Sequence, residues 1–267
     1  MRWLEEFNMA MKSVSAGLEV LDRKKNDLLV QTKESLRDIV TGIDIEIERD
    51  IKEILRGSPH KVVGEESFAA GQEVDWNNDT VWAIDPIDGT TNMVAGIPFY
   101  CVSLGLMDKA KFELGVVAVP AQEMLYFSFN DRAYVNNKML TVKPTKFEES
   151  LNACAFSGKA YGENRQLEYE IFGAVNDSTR GCLRTGSAAM NICYVAAGQL
   201  QSAYGINNRI WDVAAALAIA RHAGAQIYIE RKQDGSFINY AAGVPGVVEK
   251  IVKILNEKML TNLTLLK

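Results

Sequence analysis

The sequence predicts an α+β protein with layered sheets and helices, not a barrel. Strand-like runs dominate residues 80–130, while helix and strand alternate after residue 150. A chain of 267 residues, 48% of them hydrophobic, can also bury roughly 70–75% of the surface its unfolded form exposes. The division between the two regimes falls near Lys143-Pro144-Thr145, giving halves 1–143 and 144–267.

Each element has its own reason. Leu4, Phe7, Met11, Val14, Leu18 and Leu21 recur at helical spacing over the first 25 residues. Ile43, Ile47, Ile51 and Ile54 form a second stripe, with acids and bases mostly off it, and Gly57-Ser58-Pro59 stops that helix. Strand runs follow: Lys61–Val63 into Gly64, and Val81–Ile84 into Asp85. Then 100–107, 113–119 and 124–129 read as an antiparallel meander with turns near Asp108-Lys109 and Pro120-Ala121. Leu151–Phe156 is a further strand. Small apolar residues predict helices over 187–197, closed by Gly198, and over 211–223, closed by Gly224. A strand at 225–229 and a last helix at 247–258 complete the reading.

Composition excludes several classes. Twenty-nine basic against 34 acidic residues give a net charge of −5, and the one basic cluster is Arg23-Lys24-Lys25. Phosphate-backbone binding needs many cations on one face, so no direct nucleic-acid partner is expected. No run of about 20 apolar residues occurs and the N-terminus does not read as a signal peptide, so a soluble cytoplasmic protein without a membrane partner is expected. Cys101, Cys154, Cys182 and Cys193 form no CxxC pair and read as free buried thiols. The two histidines, His60 and His222, read as structural or surface residues.

The chemistry concentrates in Trp82-Ala83-Ile84-Asp85-Pro86-Ile87-Asp88-Gly89-Thr90-Thr91-Asn92. Two aspartates three residues apart leave an apolar strand, Pro86 fixes φ and Gly89 permits a tight turn. At ~4 Å and an effective dielectric near 20 such carboxylates repel by about 4 kcal/mol, which calls for a hard divalent cation between them. An Asp-Pro turn with a capping Asp accounts for these residues alone equally well. Gly64-Glu65-Glu66-Ser67 places further carboxylates at a strand end, and Asp212 opens a helix, where it also serves as a first-turn acid.

Taken in order, GEES at 64–67, WAIDPIDGTTN at 82–92 and WDVAAALAIARHAGA at 211–225 resemble the three motifs of the inositol monophosphatase family of Mg²⁺-dependent, lithium-sensitive phosphatases. The upstream element of that family resembles Lys33 and then the run from Asp38 through Thr41 and Asp44 to Glu48. The resemblance implies a layered αβαβα sandwich, usually dimeric, and a phosphoric monoester hydrolase acting on a small phosphorylated polyol or sugar. It implies two or three Mg²⁺ ions held by Glu65, Asp85, the Ile87 carbonyl, Asp88 and Asp212. Most of these ligands lie in the N-terminal half, and Asp212 completes the set from the C-terminal half. Four carboxylates and a phosphate dianion sum to about −6, which three divalent ions neutralise. Glu65 and Thr90 would orient a water for in-line attack, with Asp44 bonded to Thr90. Gly89, Thr90, Ser187, Arg209 and Asp212 would contact substrate.

Substrate identity is less legible. Inositol 1-phosphate is the first expectation; fructose 1,6-bisphosphate, and a protein-binding regulatory role seen in some bacterial relatives, stand as alternatives. Inositol-specific relatives carry an acid before the WD motif that contacts sugar hydroxyls. Here that position falls at or near Gly205, and no acid lies between Gln201 and Trp211. Hydroxyl recognition there falls to Asn207, Asn208 or Arg209. Ser157-Gly158, Arg184 and Gly186-Ser187-Ala188 lie where the family builds the rest of the pocket.

Overall fold

Two sheets and three layers of helices alternate. The computed structural model describes residues 2–24, 30–32, 39–68, 74–156, 163–231, 235–259 and 263–266. Lys33, Asp38, Ser157 and Gly158 lie outside them. The helices are α1 (Leu4–Lys24), α2 (Gly42–Leu55), α3 (Thr90–Val94), α4 (Glu163–Ser178), α5 (Ala188–Ala196), α6 (Ile210–His222) and α7 (Val247–Met259).

A short pair, β1 (Val30–Thr32) and β2 (Ile39–Thr41), precedes α2. The larger sheet runs in chain order: β3 (Lys61–Gly64), β4 (Thr80–Asp88), β5 (Cys101–Asp108), β6 (Lys111–Val119), β7 (Met124–Phe129), β8 (Arg132–Val135) and β9 (Lys138–Met139). The other sheet has β10 (Leu151–Phe156), β11 (Gly181–Leu183), β12 (Ser202–Arg209), β13 (Gln226–Arg231), β14 (Phe237–Gly243) and β15 (Thr264–Leu265), ordered 11-10-12-14-13-15.

Alternation along the strands sets the layers. Trp82, Ile84, Leu104, Leu106, Leu114 and Val116 pack with α1 and α2. Val81, Ala83, Met107, Phe112, Val117 and Val119 face the other way, into a core shared with α5 and α6. Both faces of this sheet are therefore buried, and its strands read as nearly continuous apolar runs. Cys154, Tyr204, Ile206 and Ala241 turn the outer face of the second sheet toward α4 and α7. The order is α1/α2, sheet, α5/α6, sheet, α4/α7, the layered sandwich the resemblance implied.

Ten of the thirteen residues of α6 are buried, five of them the alanines Ala214, Ala215, Ala216, Ala218 and Ala220. The paired glycines Gly105 and Gly115 explain how it fits. A Cβ on Gly115 would lie 2.0 Å from the Ala215 carbonyl oxygen, and one on Gly105 2.6 Å from the Ala215 nitrogen. The helix backbone rests directly on the sheet.

Several expectations need adjustment. In α1 the buried face is Ala10, Ser13, Val14, Gly17, Val20 and Leu21, while Leu4 is exposed. An ideal Cβ on Gly17 would lie 3.1 Å from Ile47 Cγ2, so α1 meets α2 closely there, while Phe7, Met11 and Leu18 of the predicted stripe pack against the same core as Val14 and Leu21. β4 does not end at Ile84 but runs to Asp88, with a register shift between Asp85 and Asp88 around Pro86, which has no N–H to give the ladder. The strands β8, β9, β11, β12 and β14 and the helix α4 carry no clear periodicity in the sequence. All four cysteines are free and buried. Among the described residues no helix is long and apolar enough to cross a membrane.

Candidate active site

The bulge in β4 turns both aspartates to one end of the sheet. Asp85 is 2% exposed and its Oδ1 has no hydrogen-bond partner. Gly89 follows with φ +92°, and a Cβ there would lie 2.9 Å from the Phe99 carbonyl oxygen. Only glycine takes this turn without strain. It starts α3, whose first residue is Thr90.

Asp88 reaches across to the second half of the chain. Its Oδ2 accepts from Ser187 Oγ at 2.6 Å and from the Ala189 N–H at 2.7 Å, and its Oδ1 from the Ala188 N–H at 3.4 Å. Ser187 is also the N-cap of α5. Asp88 thus sits on the positive end of a helix from the other half, a tie no local reading of the sequence reveals. Burial pushes its carboxyl up to about 6, against the lowering effect of Ser187 and the α5 amides.

Asp212 lies in the first turn of α6, where its Oδ2 accepts from the Arg209 N–H at 2.9 Å and its carboxylate from the Asn208 side chain. Burial pushes Asp85 and Asp212 well above the usual carboxylate range, and the charges of Glu65 and Asp88 add to the shift of both. Glu65 follows β3, with its N–H on the Ile84 carbonyl at 3.1 Å. Among the described residues no three acids, cysteines or histidines close into a preformed metal cage. The four acids converge on one space, and the charge of Glu65 adds to the proton affinity of the three aspartates. Together with the unpartnered Asp85 Oδ1, that is the donor set a hard divalent cation fits.

Thr90 Oγ lies 3.2 Å from Asp44 Oδ1 and 2.8 Å from the Ile87 carbonyl oxygen. Asp44 is fixed from α2 by the Thr41 N–H at 2.9 Å and the Thr41 hydroxyl at 2.5 Å. Burial raises the Asp44 carboxyl above its ordinary range, and these hydrogen bonds pull it back. Nearby, Asn92 Nδ2 donates to the Phe99 and Thr185 carbonyls at 2.7 and 2.9 Å, joining the turn after β4 to the loop before α5.

These groups line a cavity of about 690 Å³. Glu65, Asp85, Ile87, Asp88, Gly89, Thr90, Ser187 and Asp212 all face it. Asp44 stands behind Thr90. Arg209, expected as a substrate contact, does not line the cavity. Its guanidinium stacks 3.7 Å over the Phe237 ring and donates to Ser236 Oγ at 3.0 Å, because the turn into α6 sends its side chain to β14. Asn208 lines the cavity where Arg209 does not, and Phe156, Arg165 and Tyr169 join it from β10 and α4. The histidines stay away: His60 Nε2 is 3.1 Å from Glu6 Oε1, and His222 ends α6 at another surface.

The inositol monophosphatase family model matches residues 2–259. A Thermotoga maritima protein named fructose-1,6-bisphosphatase/inositol-1-monophosphatase is 32% identical over 231 residues, 85% of this chain and 86% of its own length. A Pasteurella multocida protein named Nus factor SuhB is 32% identical over 228 residues, 82% of this chain and 83% of its own. The solved structure of a Thermotoga maritima IMPase superposes with a TM-score of 0.79 at 28% identity, covering 96% of this chain and 99% of that one.

Proposed function

The chain belongs to the inositol monophosphatase family of metal-dependent phosphoric monoester hydrolases, and we propose that it hydrolyses small phosphate monoesters of polyols and sugars, inositol 1-phosphate among them, with two or three Mg²⁺ ions. The observation that carries this is the convergence of Glu65, Asp85, Asp88 and Asp212 on one cavity, with an unpartnered Asp85 oxygen.

Glu65, Asp85, Asp88, Asp212 and the Ile87 carbonyl would hold the ions, which supply neutralising charge and water activation when bound. The remaining work falls to the chain. Thr90 and Glu65 orient the attacking water, and Asp44 accepts the hydrogen bond of the Thr90 hydroxyl and so directs its oxygen. The N–H groups of Gly89 and Thr90, at the entrance of α3, would donate to phosphate oxygens. Asp88, clamped by Ser187 and α5, keeps the two halves of the site in register. In this reading Li⁺ competes for the place beside Asp88 and Asp212, and the protein works as a cytoplasmic homodimer.

The test is phosphate release from inositol 1-phosphate, glycerol 2-phosphate and fructose 1,6-bisphosphate, with Mg²⁺ and with EDTA. No Mg²⁺-dependent release from any of them would end the reading. The similarity to a protein named Nus factor SuhB supports a second role as a protein-binding regulator. Affinity capture with an Asp85→Asn variant tests that role apart from catalysis.

A further inference from the structure

α2 carries two buried carboxylates on its inner face, one turn apart. Asp44 accepts from the Thr90 hydroxyl. Glu48 does not line the cavity. It is 3% exposed, among the isoleucines Ile43, Ile47 and Ile51 of the same face. A carboxylate is costly there unless it is paired and hydrogen-bonded. Its Oε1 lies 3.1 Å from Lys52 Nζ, and its Oε2 accepts the Glu66 N–H at 2.7 Å.

That second bond leaves the helix and fixes the turn after β3, which begins at Glu65. The turn is tied at other points too. The Glu65 N–H donates to the Ile84 carbonyl at 3.1 Å, the Phe68 N–H to the Gly64 carbonyl at 2.9 Å, and Lys52 Nζ to Ser67 Oγ. The Phe68 ring lies 5.2 Å from that of Trp211, the neighbour of Asp212. Gly64 makes the room. A Cβ there would lie 2.4 Å from Glu48 Cδ and 2.5 Å from its Oε2, so the carboxylate fills the space of a side chain at 64.

We propose that Glu48 is the positioning residue for Glu65. By holding the Glu66 N–H across the space at Gly64, it sets where the Glu65 carboxylate stands, and with it the Mg²⁺ affinity of the site and the turnover. The proposal rests on the phosphatase reading above and adds a residue to it. One face of α2 then aligns both groups that orient the attacking water, Thr90 through Asp44 and Glu65 through Glu48. An ion pair with Lys52 that only stabilised the helix would need neither burial nor a bond to the turn.

The test measures, for each variant, Mg²⁺ binding by titration calorimetry without substrate, kcat for inositol 1-phosphate, and Tm. Glu48→Ala should weaken Mg²⁺ binding and lower kcat, each by roughly ten- to a hundredfold. Glu48→Gln keeps an acceptor at the same reach and should restore most of both. Glu48→Asp keeps the charge, falls one methylene short and should fail like alanine. Gly64→Ala should reproduce the loss by pushing the carboxylate aside. Combined with Glu48→Ala it should cost little more, because both act through one contact. Glu53→Gln, on the exposed side of α2, should leave binding and kcat unchanged. A Glu48→Ala protein that melts lower yet binds Mg²⁺ and turns over like the wild type overturns the proposal and leaves the phosphatase reading standing. So does a glutamine variant as damaged as the alanine one. If the alanine variant does not fold, the other two decide, and aspartate outperforming glutamine overturns the proposal. Wild-type protein with neither Mg²⁺ binding nor Mg²⁺-dependent turnover overturns both.

Discussion

The side-chain oxygen of Asn208 lies 2.0 Å from the point a Cβ on Gly205 would occupy, so the two residues share a space that only glycine leaves open. Tyr240 Cε1 closes the same space from β14 at 2.4 Å. The space beside Gly205 is thus sealed by an amide, and that amide donates to Asp212.

Gly205→Ala should therefore act as an overpacking change. The expected loss of stability is about 1–3 kcal/mol, read from the denaturant midpoint. Asn208→Ala in the same chain should recover part of it, because the two changes share one volume. Additive losses in that cycle would show that the crowding lies elsewhere.

The same relationship limits selectivity. A carboxylate that hydrogen-bonds a sugar hydroxyl supplies roughly 1.5–3 kcal/mol, and none is present at this spot. Inositol 1-phosphate and glycerol 2-phosphate should both be turned over, with kcat/KM values within about a thousandfold, ~4 kcal/mol. A larger preference for the inositol ester would mean that another part of the cavity reads the ring hydroxyls.

Asp85→Asn and Asp212→Asn should each lower turnover by orders of magnitude, and EDTA should abolish the wild-type activity. Without metal, both variants should melt above the wild type, since each removes a buried charge held among like charges. Li⁺ should inhibit uncompetitively at high substrate. Full activity in EDTA, or insensitivity to high millimolar Li⁺, would refute the metal assignment.

Stability should depend on pH in a way that Mg²⁺ reverses. Burial raises Asp88 from the ordinary carboxylate value to about 6. The folded metal-free chain therefore holds that proton more tightly than the unfolded one. The stabilisation this brings is complete below about pH 4 and is lost as the pH rises through about 6. The metal-free Tm should fall across that interval, Asp88→Asn should flatten the fall, and added Mg²⁺ should raise Tm more at pH 7.5 than at pH 5. A Mg²⁺ effect independent of pH would contradict it.

Thr90→Ala should reduce kcat by roughly 10²–10⁴, the range for a positioned proton-handling group, with KM little changed. Thr90→Ser keeps the oxygen near Asp44 and should retain most activity. If serine fails as badly as alanine, the methyl group and not the hydroxyl carries the effect.

Much of this architecture is legible because period and burial agree. The isoleucine stripe of α2 and the apolar run of β4 point to their own positions. Asp85, Asp88 and Asp212 stand at ends of such runs, so a local reading reaches them. β12 is different: Ser202–Arg209 is polar and glycine-bearing, and its strand character comes from pairing with β10 and β14. α4 has weak amphipathicity and Gly173 in its interior, so Arg165 and Tyr169 escape notice. Arg209 misleads in the opposite sense. It is near Asp212 in sequence, yet the turn between them sends its side chain to Phe237.

The seating of α6 on Gly105 and Gly115 bears on how the molecule admits its substrate and how it fails on heating. One helix is shared as a common wall by both sheets, in contact too close for sliding, and its first turn carries Asp212. A clamshell rotation of one half against the other would have to shear that contact. Entry and exit of ligand are left to segments at the cavity mouth, while the acids keep their spacing. Heat would then disperse the carboxylates only when the shared helix itself comes loose, so inactivation and global melting belong to a single event.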